Sequence, residues 1–289
     1  MLEFREIDYS NDIPEIVDLL RTSLSEKHTK ESFKWKHIDN PFGKSLGFLA
    51  LDKNKIIGVR MFMKWDFSNE GEIIHALRPV DTVTHSDYRN KGIFKKLTLD
   101  GLEKYKNNYD LIFNTPNQNS YLGNLKMGWK KYPIKINFKF ALILPLLTKS
   151  HTDNPPINSD KNKVSYNYFT TNKSSSYLQW RYLRNDYKTS EYTNGENNVE
   201  IIYIIQKLKG VKIIVIEELI GSEPNFENAV RNLCSKLKIY LIYYLDNLFM
   251  KSKFSLSLNR NPAIILFRDD KMECINNIVF SVGDIEGSI

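Results

Sequence analysis

The sequence holds only two cysteines, Cys234 and Cys274, in 289 residues. Their separation excludes a disulfide-stapled fold, and the lack of a close-set Cys or His pair excludes zinc-finger-type ligation. Both thiols are expected to be reduced and structural, and no metal is expected. No uninterrupted apolar run reaches the roughly 18 residues of a membrane span. The opening MLEFREIDYSNDIPE is charged from Glu3 onward and lacks the apolar centre of a signal peptide. The expectation is a cytoplasmic chain without a membrane span. No recognised nucleic-acid motif is present, and the formal net charge of +7 is diluted through a Lys- and Asn-rich chain, so it decides little about partners.

What is abundant is aromatic: 16 Tyr and 16 Phe favour a packed globular protein over a disordered one. The length suits two units. The polar stretch LTKSHTDNPPINSDKNKV (147–164), with Pro155-Pro156, is the natural linker, placing one domain at 1–146 and another at 165–289.

Along the first half, residues 2–9 have strand character and 13–24 repeat Ile16, Leu19, Leu20 and Leu24 at helical spacing. A polar turn and the stretch 33–43, ending in an Asn40-Pro41 turn, lead into an antiparallel hairpin, LGFLALD and KIIGVRMFMKW, joined at Lys53-Asn54. Residues 72–84 continue as strand, 93–105 form an amphipathic helix, 109–116 a short buried strand and 120–126 a short helix. In the second half, YLQWRYLRNDY (177–187) echoes SFKWKHIDNPF (32–42) in its Trp, the following basic residue and the closing aromatic. Both segments precede apolar hairpin material, so internal repetition is one reading of the chain.

The stretch DYRNKGIF (87–94) sets a glycine in a basic run between a strand and a helix. A helix N-terminus exposes unpaired N–H groups and the positive end of the macrodipole, so such a loop is a natural anion cradle. Gly92 lets an anion approach the backbone, Arg89 and Lys91 add charge, and Lys95 and Lys96 lie one turn on. A solvated turn that merely starts a helix is the plain alternative.

The succession VDTVTHSDYRNKGIFKKL then NTPNQNSYLGNLKMGWK resembles the GNAT superfamily of acyl-CoA-dependent N-acyltransferases. The loop signature Q/R-x-x-G-x-G/A is met by Arg89, Asn90, Lys91, Gly92, Ile93 and Phe94, with Phe94 in place of the final small residue. The second segment is met by Asn117, Gly128 and Trp129. The resemblance covers roughly 1–135 and implies a mixed α/β fold: a central, mostly antiparallel sheet flanked by helices, followed by a smaller α/β domain. The Trp180-Arg181-Tyr182 echo suggests that this second domain is a degenerate GNAT-like repeat shaping the acceptor site.

The resemblance further implies acetyl-CoA or another acyl-CoA as co-substrate, its pyrophosphate on 89–94 and its pantetheine arm along the main chain of Thr82, Val83 and Thr84. Asn117 and Asn124 belong to the same cofactor-binding set, and Asn124 stands where the family commonly has a Tyr acid. Tyr121, one helical turn earlier, is the substitute candidate. Asp81 or His85 is the candidate base, with strand-end capping and simple surface exposure as their plain alternatives. The expected reaction is acyl transfer to a primary amine of a small molecule, with an amino sugar or nucleotide-linked amino sugar of polysaccharide biosynthesis as the favoured acceptor by analogy. Two other readings stay open: an aminoacyl transferase using charged tRNA, and a non-catalytic acyl-CoA-binding module.

Overall fold

The computed structural model describes residues 1–143, 168–183, 186–195, 197–221, 225–247, 257–268 and 275–285. The expected linker at 147–164, Cys274 and the last four residues lie outside that set. Packing divides the chain into two units: Met1–Phe67, Ile73–Tyr132 and Ile264–Ile275 in one, Ser68–Glu72, Pro133–Ala263 and Asn276–Ile289 in the other. The first unit thus ends earlier in sequence than 146 and regains a later segment, and the second is as large as the first.

In the first unit, β1 (Glu3–Glu6), β2 (Leu46–Asp52), β3 (Lys55–Asn69), β4 (Glu72–Thr84), β5 (Leu111–Asn114), β6 (Lys130–Lys131) and β14 (Leu266–Phe267) form a sheet in the order β1-β2-β3-β4-β5-β14-β6. The β2–β3 hairpin turns on Lys53 (φ 49°) and Asn54 (φ 65°), the doubly left-handed turn that matches strand twist. β4 and β5 run parallel, with Ala76 opposite Leu111 and Leu77 opposite Ile112. β14 lies between β5 and β6, antiparallel to both.

Helices cover both faces. On one, α1 (Ile13–Ser23), with a proline in its first turn, lays Ile16, Val17, Leu19 and Leu20 with Phe33 against Leu49, Val59 and Met61. The second helix there, α2 (Lys30–His37), begins at a capping box in which Thr29 and Ser32 satisfy each other's backbone N–H groups. On the other, α3 (Ile93–Lys104) buries Ile93, Leu97 and Leu102 against Phe48, Ala50 and Phe62. Each such fully buried side chain contributes about 1.5–3 kcal/mol relative to exposure. The short α4 (Gln118–Lys126) joins the α3 cluster through Tyr121 and Leu125.

The second unit has its own sheet, in the order β13-β7-β12-β11-β10-β9. Its strands are β7 (Asn137–Leu142), β9 (Lys188–Asn194), β10 (Asn197–Leu208), β11 (Val211–Gly221), β12 (Leu241–Asp246) and β13 (Ser257–Pro262); β8 (Thr170–Thr171) is a short strand before α5 (Ser175–Tyr182). β10 and β11 form an antiparallel hairpin whose register shifts at Ile202/Tyr203. β11 and β12 pair in parallel at Ile214 with Ile242 and Val215 with Tyr243, and α6 (Phe226–Leu237) is the crossover between them. The core gathers Ile201, Ile214, Val230, Leu233 and Ile242. A polar knot lies under α7 (Val282–Ile285): Tyr182 and Ser281 donate to Glu218 at 2.8 and 2.7 Å, Lys173 pairs with the same carboxylate at 2.8 Å, and Thr171 donates to Asp284 at 2.6 Å.

Candidate acyl-donor site

β4 is the strand on which the first unit's site is built. Its paired register with β5 covers Ala76 and Leu77, after which Arg78 reaches across to donate to Thr115 Oγ1 at 2.9 Å. β4 then runs on to Thr84, and in that length Asp81 takes a left-handed backbone, φ 43°. A non-glycine residue held there costs about 1–3 kcal/mol, and the break in the pleat re-aims the strand as a bulge does.

The surroundings of Asp81 offset that cost. Lys36 Nζ lies 2.9 and 3.1 Å from its two carboxylate oxygens and His37 Nε2 lies 2.9 Å from one of them. All three side chains are nearly or wholly buried, at 8%, 0% and 10% exposure for Lys36, His37 and Asp81. Burial pushes the Asp81 carboxyl up, but the charge of Lys36 and the His37 hydrogen bond outweigh it and hold the group well below the usual carboxylate range. Burial likewise pulls His37 below the ordinary imidazole value against the opposing pull of Asp81. A carboxylate only accepts, so the neutral ring donates from Nε2, and Ser45 Oγ, 2.9 Å away, donates to Nδ1. A carboxylate with both oxygens engaged and so strong a hold on its charge is a weak proton acceptor, which counts against Asp81 as the base.

Beyond Thr84 the chain makes a one-turn helix at Ser86–Tyr88. Tyr88 Oη, 2.6 Å from Asp52 Oδ2, ties this turn to the end of β2. Asn90 (φ 62°) and Gly92 (φ 77°) are both left-handed. A Cβ on Gly92 would meet nothing within 4 Å, so the glycine is there for its backbone and not for want of room. Gly92 is also the N-cap of α3 and offers no side chain to cap it, which leaves the positive end of the helix to an incoming anion. Arg89, Asn90, Lys91 and Gly92 are exposed around that end. Arg89 Nε donates to Thr84 O at 3.3 Å, Lys91 sits over the Tyr88 ring, and Lys96 pairs with Asp100. Ile93 is buried under the loop.

Thr82 and Val83 follow the break at Asp81. Val83 packs with α1, whereas Thr82 faces the opposite way and accepts a 2.6 Å hydrogen bond from Arg60 Nη1. His85, 32% exposed, accepts from the Asp87 N–H through Nδ1. Asn117 is the N-cap of α4, its side chain accepting from Ser120 N–H, and Gly128 (φ 90°) follows the helix end. The spacing of Asn117, Gly128 and Trp129 is therefore the length of a capped helix plus a buried anchor. Asn124, at the position of the family acid, is fully buried; its Nδ2 donates to Ser120 O, and its Oδ1 has no partner among the described residues. Tyr121 is half-buried, with Lys131 over its ring. The loop residues and Thr82 thus gather at the end of β4, while α4 presents Tyr121 and Asn124.

Sequence alone does not reveal Lys36 and His37, because 33–43 reads as a stretch leading to a turn, nor Ser45, just beyond it. The signal is Thr29-x-x-Ser32, a helix start. Nor does it reveal Arg60, a charged residue inside the apolar run KIIGVRMFMKW.

Residues 3–131 match the family described as acetyltransferase (GNAT) domain. Among solved structures, the chain is similar to a GCN5-related N-acetyltransferase from Anabaena variabilis (TM-score 0.66, 12% identity, 93% of this chain and 72% of the other). It is similar also to a probable N-acyltransferase from Enterococcus faecalis (TM-score 0.64, 11% identity, 95% and 74%) and to Eis1 from Mycobacterium abscessus (TM-score 0.61, 10% identity, 99% and 84%). At such identities the likeness establishes the fold. No curated protein sequence matches the chain.

Proposed function

From the premise that residues 3–131 constitute an acetyltransferase domain of the GNAT superfamily, we propose that the protein transfers a short acyl group from acyl-CoA to a primary amine of a small molecule. The observation that carries this reading is the uncapped start of α3, reached through the left-handed Asn90 and Gly92 directly after β4. The N–H groups of that first helical turn and the side chains of Arg89 and Lys91 take the pyrophosphate. The pantetheine arm runs along the main chain of 82–84, where β4 extends past its paired register with β5.

In the ternary complex the amine nitrogen attacks the thioester carbonyl carbon, the C–S bond breaks, and the amine proton is passed on while the thiolate leaves. Holding the two reactants together supplies much of the rate. Asp81 is assigned to positioning: with Lys36 and His37 it fixes the break in β4 beside which the thioester lies. His85, partly exposed at the strand end, is the residue assigned to the amine proton. Tyr121 is assigned to the departing thiolate, because Asn124 has no acidic proton to give.

The second unit is assigned as a degenerate acyltransferase-like repeat that shapes the acceptor site, which includes amino sugars among its candidates. Two features support that reading. Helix, antiparallel hairpin, crossover helix and parallel strand recur as α5, β10–β11, α6 and β12. The bond from His37 at the end of α2 to Asp81 on β4 is echoed by the bond from Tyr182 at the end of α5 to Glu218 on β11, each carboxylate three residues before its strand's last residue.

The test is calorimetric binding of acetyl-CoA to the wild type and to Gly92→Glu, whose carboxylate would face the pyrophosphate. Binding by the wild type and its loss in a folded variant is the expected result. Silence of the wild type toward acetyl-CoA and longer acyl-CoAs would overturn the reading.

A further inference from the structure

Arg60 lies in the middle of β3, in a run that is otherwise almost wholly apolar, and it is 3% exposed. Its Nη1 donates to Thr82 Oγ1. Its Nε and Nη2 are buried and have no hydrogen-bond partner among the described residues. The rings of Phe62 and Phe94 lie 5.8 and 5.3 Å from the guanidinium carbon. Among the described residues no carboxylate offsets the burial, which pulls the group down to about 9. A buried guanidinium left in this condition is costly unless something supplies its missing acceptors.

The identity of the free atoms narrows what that something is. Nε–H and Nη2–H point the same way from one edge of the guanidinium plane, and that edge matches the two oxygens of a carboxylate. The other edge is turned toward Thr82. The aromatic rings confine the space around the group, which suits a small planar anion better than a tetrahedral phosphate. Phe94 is half-buried and stands in the first turn of α3, where the GNAT signature has a small residue. A Cβ on Gly123 of α4 would be 3.2 Å from its Cε1. Phe94 is therefore the ring between Arg60 and the helix α4.

We propose that Arg60 binds a carboxylate carried into the site by a substrate, through its Nε–Nη2 edge and past a shifted Phe94 ring. The inference rests on the acyl-CoA reading above, which lays the thioester against β4 next to Thr82, the residue Arg60 holds. The carboxylate has two sources: the far end of a dicarboxylic acyl group such as succinyl, or an acceptor that carries an acid beside its amine. Arg60 makes no covalent bond in either case; it selects which acyl or amine is held.

The experiment compares wild type and Arg60→Met with acetyl-CoA and succinyl-CoA by calorimetry, then an α-amino acid with its amide as acceptors by turnover. A charge-assisted bidentate contact predicts a preference of about tenfold to a hundredfold. If the acyl group is the source, succinyl-CoA binds wild type that much tighter than acetyl-CoA, and Arg60→Met removes the difference while keeping acetyl-CoA affinity. If the acceptor is the source, the two thioesters bind alike and the KM of the amino acid alone rises in Arg60→Met. Wild type that distinguishes neither pair overturns the proposal, and this arm decides it even where Arg60→Met does not fold. Acetyl-CoA binding without either preference leaves acyl transfer standing and removes Arg60 from recognition; no binding by either thioester removes both.

Discussion

His37 is closed between Ser45 and Asp81, with Nδ1 2.9 Å from the hydroxyl and Nε2 2.9 Å from the carboxylate. Both titrating partners of this buried bond are displaced downward, His37 from 6.5 and Asp81 from 3.8. In each case the unfolded chain binds more protons than the folded one, so stability rises with pH. The contribution is fully present above the unfolded imidazole value, falls as pH drops below about 6.5, and falls again below about 3.9. Chemical denaturation between pH 8 and pH 3 is expected to show this decline. Asp81→Asn should lose about 3–5 kcal/mol at pH 7 by leaving Lys36 buried without its counter-ion, and should lack the steeper acid limb. An unchanged acid limb would mean that other carboxylates govern it.

Phe94 and Gly123 answer each other across α3 and α4. A larger residue at 123 is expected to crowd the ring, and removal of the ring should relieve the crowding. Gly123→Leu is expected to destabilise the protein and Phe94→Ala/Gly123→Leu to recover part of the loss, with a coupling energy of at least about 0.5 kcal/mol in a double-mutant cycle. Additive losses would show that the two positions are independent.

Proton transfer provides a third check. His85→Ala is expected to lower kcat about 100-fold or more, with acetyl-CoA affinity unchanged, and Tyr121→Phe to lower it by a smaller factor. Stopped-flow or coupled thiol-release assays would read both. Full activity in His85→Ala would move the proton to a water.

Across β9 and β10, Glu191 and Glu200 stand directly opposite each other. Burial, then the neighbouring Glu191, raises Glu200 to about 7. The folded state therefore binds more protons than the unfolded one between about pH 4 and pH 7, and this pair's contribution weakens as pH rises through that range. Glu200→Gln is expected to stabilise the protein by about 0.5 kcal/mol at pH 8 and to have little effect at pH 5. A thermal melt at the two pH values decides it.

The hairpin, the helices at 13–24 and 93–105 and the loop at 89–94 were legible because each is local: periodicity, Lys53-Asn54 and a glycine before a helix are properties of neighbours in sequence. The Asn117, Gly128 and Trp129 frame was legible for the same reason, since it marks the two ends of α4. The long-range pairings were not. Nothing near Asp81 announces that its partners are Lys36 and His37, more than forty residues earlier, and alternation along β3 says that Arg60 faces Thr82's side of the sheet without saying that two of its nitrogens go unanswered. Leu266-Phe267 gave no sign either of pairing with β5 and β6, because a two-residue strand has no periodicity to read.

That last strand bears on how the protein is made. The first sheet has β14 (Leu266–Phe267) as the partner of both β5, which ends at Asn114, and β6, which ends at Lys131, yet β14 is translated long after them. A chain emerging from the ribosome can assemble β1 to β5 early, but the sheet stays open until Leu266 and Phe267 have been made. Domains that form in order of synthesis close as they emerge; here closure of the first is deferred until most of the second has been made. In the interval the β5 edge is unsatisfied and open to pairing with other nascent chains.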